Sequence, residues 1–305
     1  MNKSLHSLAA TITEEVGASV KVNELMRGHT SFKIGGPADL FVQPQSSKQL
    51  VELLQFAHAN DLPVTVLGNC SNVLVLDKGI RGLVIKLGNG MKNFYIEDDL
   101  PVFEAGYSLA LAVHKAYELS LSGLEFAVGI PGSIGGAVYM NAGAYNGEMK
   151  SVVDSVRVVD FAGRERVLTN SDLQFAYRST VLQSMPCVVT EVRLKLAAGD
   201  PAAIKSAMDD FSLRRITKQP LDMPSAGSTF KRPVGYYVGT LIEQAGLKGF
   251  AVGDAQVSQK HAGFIVNKGN ASAQDVLGLI EAVQAKINQK YGVELVPEVL
   301  VVGEK

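Results

Sequence analysis

Apolar positions recur at helix and strand periods along most of the chain. Over residues 46–60, SSKQLVELLQFAHAN, Leu50, Leu53, Leu54 and Ala57 fall on one helical face behind a serine start signal, which predicts an amphipathic helix. The runs PVTVLG, VLVL and GLVIKL follow at short intervals, separated by NCSN and DKGIR, and read as strands joined by tight turns. Residues 108–122, SLALAVHKAYELSLS, predict a second helix capped by Ser108. VVDSVRVVD (152–160) and CVVTEVRLKL (187–196) read as strands, the second alternating like a half-buried one. Residues 201–218 open with Pro201 and set Ile204, Met208 and Phe211 on one face, a helix bridging to a last domain. There YVGTLIEQAG predicts a short helix stopped by Gly246. A longer helix opens with Ser272 and Asp275 as a capping-box-like pair, buries Val276, Leu279, Ile280, Val283 and Ile287, and ends at Gly292. LVPEVLVV closes the chain as a strand with Glu298 just before its apolar run.

This mixture of elements is α+β. A chain of 305 residues is expected to hold more than one core, since single cores stop growing before about 300 residues. Charge narrows the function classes: 29 Lys and Arg balance 30 Asp and Glu, with no block of one sign, which argues against nucleic acid and against a polybasic membrane patch. The two cysteines, Cys70 and Cys187, and five scattered histidines lack disulfide or metal spacing, so no metal is expected and a reducing compartment fits. No apolar signal core opens the chain, and no stretch approaches the roughly 18 apolar residues of a membrane span. The expectation is a cytoplasmic, soluble protein with no obligate protein partner.

GIPGSIGGAVYMNAGAYNGE, residues 129–148, has six glycines and three alanines and no Lys or Arg. A P-loop needs a lysine after its last glycine, and neither this stretch nor LGNCSN (67–72) is a G-x-G-x-x-G turn between strand and helix, which disfavours a Rossmann dehydrogenase. Successive backbone N–H groups can instead form concave nests that bind anions without a cation, and the side chains of Ser71, Asn72, Ser133 and Asn141 would add donors. The plainer alternative is that these are tight turns and close crossings, which Gly and Ala also serve. Two such turns together with MNAGAY favour a bound dinucleotide.

SFKIGGPAD (31–39), LGNCSN, GIPGSIGGAVYMNAGAYNGE, YRST (177–180), SAGSTFKRP (225–233), KHAGFIVN (260–267) and PEV (297–299) resemble, in order and spacing, the UDP-N-acetylenolpyruvoylglucosamine reductase family of bacterial peptidoglycan precursor synthesis. The likeness runs from about residue 25 to 302 and is closest to the shorter of the family's two types. It implies a two-lobed FAD-binding region of the vanillyl-alcohol oxidase (PCMH) type, lobes at 1–65 and 66–200, followed by an α+β substrate-binding domain at 201–305 whose last strand is free to return to the first lobe. FAD would be held by Gly68, Ser71, Asn72, Ile130, Pro131, Gly132, Ser133, Gly135, Gly136, Asn141 and Gly143. Cys70 and Asn146 stand where the family more often has glycine, and neither change removes a backbone donor.

The resemblance also implies an activity: NADPH-dependent, FAD-mediated reduction of UDP-N-acetylglucosamine-enolpyruvate to UDP-N-acetylmuramate. Its catalytic residues map onto Arg178, which would hold the developing negative charge, Ser228, the proton donor, and Glu298, beside the enolpyruvyl group with a raised pKa. Lys218 and Arg232 match positions that bind the UDP-sugar, and less surely Tyr177, Arg215 and His261; His261 reads equally as a packed core histidine. A flavin alcohol oxidase of the same fold, and a nucleotide-sugar binding protein without turnover, are the alternatives.

Overall fold

The computed structural model describes residues 4–88 and 90–305. The chain divides into two compact units, each assembled from separated stretches. The first takes the chain up to Val22, Leu40–Asn69 and Gly82–Arg215; the second takes Asn23–Asp39, Cys70–Arg81 and Ile216–Lys305.

The first unit contains helices α1 (Leu5–Val16), α2 (Ser47–Ala59), α3 (Leu109–Glu118) and α4 (Ile134–Tyr139), and most of α5 (Pro201–Lys218). Its main sheet is antiparallel, in the order Glu165–Thr169, Val153–Asp160, Cys187–Leu194, Leu100–Glu104, Phe94–Glu97. The valine-rich strand Val153–Asp160 lies inside the sheet and buries Val156, Val158 and Val159. Leu50, Leu53, Leu54 and Ala57 of α2 and Leu109, Ala112, Val113 and Ala116 of α3 join the same core, which is why the apolar spacing of both segments reads as helical. Strand Val64–Leu67, which feeds the first glycine turn, pairs parallel with Ile80–Lys86.

Two elements depart from the sequence pattern. Helix α3 stops at Glu118 rather than near 122: Ser120 takes φ 56, and Leu121–Ser122 pairs with Ala197–Ala198 instead. Ser108 occupies its N-cap position, yet its side chain makes no capping bond. Helix α4 lies inside the glycine-rich stretch that reads as loop. Its sequence, IGGAVY, contains two poor helix formers, and Gly135 is required because a Cβ there would lie 2.7 Å from the Ala105 Cβ.

The second unit holds α6 (Val238–Gln244), α7 (Ala273–Tyr291) and an antiparallel sheet in the order Ser225–Ser228, Phe264–Asn267, Ala255–Val257, Ala251–Val252. The α7 capping box forms in both directions: Ser272 Oγ accepts from the Asp275 N–H at 3.0 Å, and the Asp275 carboxylate accepts from the Ser272 N–H at 2.9 Å. Asp77 accepts two further N–H groups of its first turn, from Ala273 and Gln274. Gly292 ends the helix at φ 66. The closing strand Leu300–Val302 runs parallel to Val73–Val75 in this same unit. Among the described residues, no helix is long and apolar enough to cross a membrane, and no group of three or more His, Cys, Asp or Glu is placed to hold a metal ion.

Candidate active site

The two glycine turns meet in the first unit. A Cβ on Gly68 would lie 2.2 Å from Ser133 Oγ, so only glycine fits there without movement. Ser133 caps α4 by accepting from the Gly136 N–H at 3.3 Å. The loop before it is fastened by Leu109 N–H to Gly132 O and Ile134 N–H to Tyr107 O, both 2.9 Å. Several expected anion donors therefore have internal partners: the N–H groups of Gly132, Gly135 and Gly136 bond to Ile130 O, Ala105 O and Ser133 Oγ, and Pro131 has none.

Positive charge does reach this loop. Arg215 is 8% exposed, and a Cβ on Gly129 would lie 2.9 Å from its Cδ. Its guanidinium lies over the Tyr145 ring, 5.4 Å from the centroid, and Tyr145 stacks on Phe211 at 4.3 Å. Burial lowers the pKa of Arg215, and its Nε has no hydrogen-bond partner. A buried arginine whose Nε lacks a partner, beside turns where a Cβ does not fit, suits an anionic dinucleotide such as FAD.

Asn141 differs from expectation. It is 1% exposed, and its whole amide is engaged: Nδ2 donates to Glu148 Oε2 and Ala176 O, both 3.0 Å, and Oδ1 accepts from the Lys150 N–H. It is a strut of the protein rather than an open donor. What it braces is the YRST segment. Ala176 and Ser179 exchange N–H···O bonds around a two-residue turn in which Arg178 sits at φ 55. The Arg178 guanidinium donates to Gly143 O at 3.0 Å and Asn141 O at 3.5 Å, so the glycine-rich stretch also aims the arginine. The half-exposed Tyr177 ring lies 5.1 Å from that guanidinium.

Left-handed backbone without glycine recurs in these motifs: Cys70 at φ 53, Asn141 at 42, Tyr145 at 50, Asn146 at 65 and Arg178 at 55. Cys70 and Asn146 are the positions where the resembled family favours glycine, and their conformation is the physical reason.

In the second unit Ser228 and Glu298 lie on two paired segments of backbone. Ser228 ends strand Ser225–Ser228 opposite Phe264, after a register irregularity that coincides with Gly227 at φ 78. The Glu298 N–H donates to Thr229 O at 2.8 Å, Phe230 bridges Pro297, and the Lys231 N–H donates to Val296 O at 2.8 Å. This short antiparallel ribbon sets the backbones of Ser228 and Glu298 beside each other, with both residues part-exposed. Asn72 braces the same place through Nδ2 to Glu298 O at 3.1 Å, and accepts from the Leu300 N–H. Ser31, a residue that sequence reasoning passed over, donates its hydroxyl to Ser225 O at 2.7 Å and its N–H to Cys70 O. Its only signal was its place in SFKIGGPAD.

His261 is packed as well as polar. Its Nδ1 accepts from the Gly263 N–H at 3.1 Å, which puts the ring proton on Nε2, and a Cβ on Gly239 or Gly263 would lie 2.9 or 3.0 Å from its Cε1. Burial, against a backbone hydrogen bond and Glu243 that act the other way, lowers its pKa and so favours the neutral ring. Lys218 and Arg232 are exposed; the Arg232 guanidinium lies 3.9 Å from the Tyr237 ring centroid.

Residues 38–169 match the FAD binding domain family, and residues 219–302 match the family described as UDP-N-acetylenolpyruvoylglucosamine reductase, C-terminal domain. The reductase of that name from Syntrophomonas wolfei is 50% identical over 286 residues, 94% of this chain and 96% of the relative. The one from Caldanaerobacter subterraneus subsp. tengcongensis is 49% identical over 284 residues, 93% of this chain and 94% of the relative. The chain belongs to the UDP-N-acetylenolpyruvoylglucosamine reductase family. Like other members it is α+β, with an FAD-binding domain ahead of the reductase C-terminal domain, and it is an FAD-dependent oxidoreductase. The crystal structure of the reductase from Thermus caldophilus superposes with a TM-score of 0.79 at 35% identity, covering 93% of this chain and 98% of that one.

Proposed function

We propose that Arg178, Ser228 and Glu298 are the side chains with which this reductase acts on UDP-N-acetylglucosamine-enolpyruvate, giving UDP-N-acetylmuramate for peptidoglycan synthesis at the expense of NADPH. Family membership supports the reaction. FAD, held at the glycine turns, would supply the hydride chemistry between NADPH and C3 of the enolpyruvyl group.

Addition at C3 leaves an electron pair at C2, shared with the adjacent carboxylate, and this charge needs fixed partners. Arg178 offers a guanidinium already aimed by two backbone carbonyls. Ser228 gives the proton to C2; a hydroxyl is a weak acid, but a carbanion held within hydrogen-bond reach is a strong base. Glu298, whose backbone pairs with Thr229 next to Ser228, would share in steadying the enolate. Lys218 and Arg232 neutralise the diphosphate of the UDP-sugar, and neutral His261 offers Nε2–H. Arg215, buried against the Gly129 loop, is a further candidate for the UDP-sugar, and its place there also suits the anion held by the glycine turns. A nucleotide-linked substrate and NADPH fit a cytoplasmic reaction.

The observation that carries the reading of roles is the pairing of Glu298 with Thr229 next to Ser228. Ser228→Ala tests it. NADPH should still bleach the flavin of this variant, while turnover falls by about 10²–10⁴-fold, the usual worth of a positioned acid. Loss of flavin reduction along with turnover would contradict the role.

A further inference from the structure

We propose that Arg232 and Tyr237 form a preset cation–aromatic plate that takes the uracil ring of the nucleotide-sugar; this rests on the substrate reading above. The segment 231–237, KRPVGYY, leaves the ribbon formed by Phe230 and Pro297. The Tyr236 N–H donates to Pro233 O at 3.2 Å, and Gly235 holds φ 80, the geometry of a type II turn with glycine in its third position. Tyr237 occupies the N-cap position of α6, whose Val238, Leu241 and Ile242 are buried, so its backbone is fixed from behind. Arg232 Nε donates to Tyr236 O at 3.3 Å, and its guanidinium lies 3.9 Å from the Tyr237 ring centroid.

A segment so tied nevertheless leaves Tyr237 66% and Val234 99% exposed. Single exposed apolar residues are ordinary, but a ring held rigid against a guanidinium is a stacking surface made in advance. Aryl and guanidinium planes both stack on nucleobases, whereas the substrate's sugars have no π-face. Arg232 adds charge suited to the adjoining diphosphate. It follows Ser228 by four residues, at most about 14 Å of chain, so the proton donor and the plate can serve two ends of one ligand.

The test titrates the FAD-loaded protein with UDP and, separately, with inorganic diphosphate. Tyr237→Phe should bind UDP like the wild type, and Tyr237→Ala should bind it about tenfold or more weakly, with diphosphate binding unchanged. Tyr237→Leu, which keeps apolar bulk but no ring, should show the same selective loss; unaltered flavin absorbance and thermal midpoint establish that it is folded. Unchanged UDP affinity in the Ala and Leu variants, or an equal loss for both ligands, would overturn the plate. A wild type that does not bind UDP would overturn the substrate reading itself.

Discussion

Arg178 keeps a left-handed backbone that costs an L-residue roughly 1–2 kcal/mol, and the carbonyls of Gly143 and Asn141 hold its guanidinium in return. Strain of this kind persists where surrounding bonds over-determine it, as Asn141 does by tying Ala176, Glu148 and Lys150 together. An asparagine in a glycine-rich stretch looks like a ligand in sequence because its partners lie 7 to 35 residues away and are invisible there. His261 shows the converse, a side chain whose burial sets its chemistry. Its folded pKa lies below 6.5, so below about pH 6.5 the unfolded chain takes up a proton there that the folded chain refuses, and stability falls as pH drops through that window. His261→Gln should therefore flatten the dependence of unfolding free energy on pH below about 6.5, measured by urea titration. An unchanged slope would contradict a buried neutral ring.

The glycine turns are where single elements explain most. Gly68 and Ser133 touch across 65 positions of sequence, and the contact would be with the hydroxyl that caps α4. Gly68→Ala should cost about 1–3 kcal/mol by overpacking. Ser133→Ala should cost about 1 kcal/mol as a lost cap. Because the second change removes the atom that the first one strikes, the double variant should be less destabilised than the sum, in a urea-unfolding cycle of the four proteins. Simple additivity would show that the turns do not meet. Helices α2, α5 and α7 were legible because each pairs an apolar stripe with a start signal, whether Ser46, Pro201 or the Ser272 and Asp275 box. Helix α4 was not, because Gly135 and Gly136 are there for the approach to Ala105 and for the cap, at the expense of helix propensity. The early end of α3 was hidden too, since Leu121 and Ser122 continue its apolar rhythm while pairing with Ala197 and Ala198.

The whole chain assigns its chemistry unit by unit. The first carries the glycine cradle, Arg178 and Arg215; the second carries Ser228, Glu298, Lys218, Arg232 and His261. Motif order pointed to the family and its cofactor, but periodicity gives no sign that residues 23–39 and 70–81 join the C-terminal unit. That follows from long-range pairing, such as Leu300–Val302 beside Val73–Val75 and Ser31 against Ser225. The FAD-dependent reductase predicts a two-step optical cycle. In the absence of oxygen, NADPH should bleach the flavin absorbance of the purified protein, and UDP-N-acetylglucosamine-enolpyruvate added next should restore it with formation of UDP-N-acetylmuramate. A protein that cannot be reconstituted with FAD, or a bleached flavin that the enolpyruvyl substrate leaves bleached, would contradict the account.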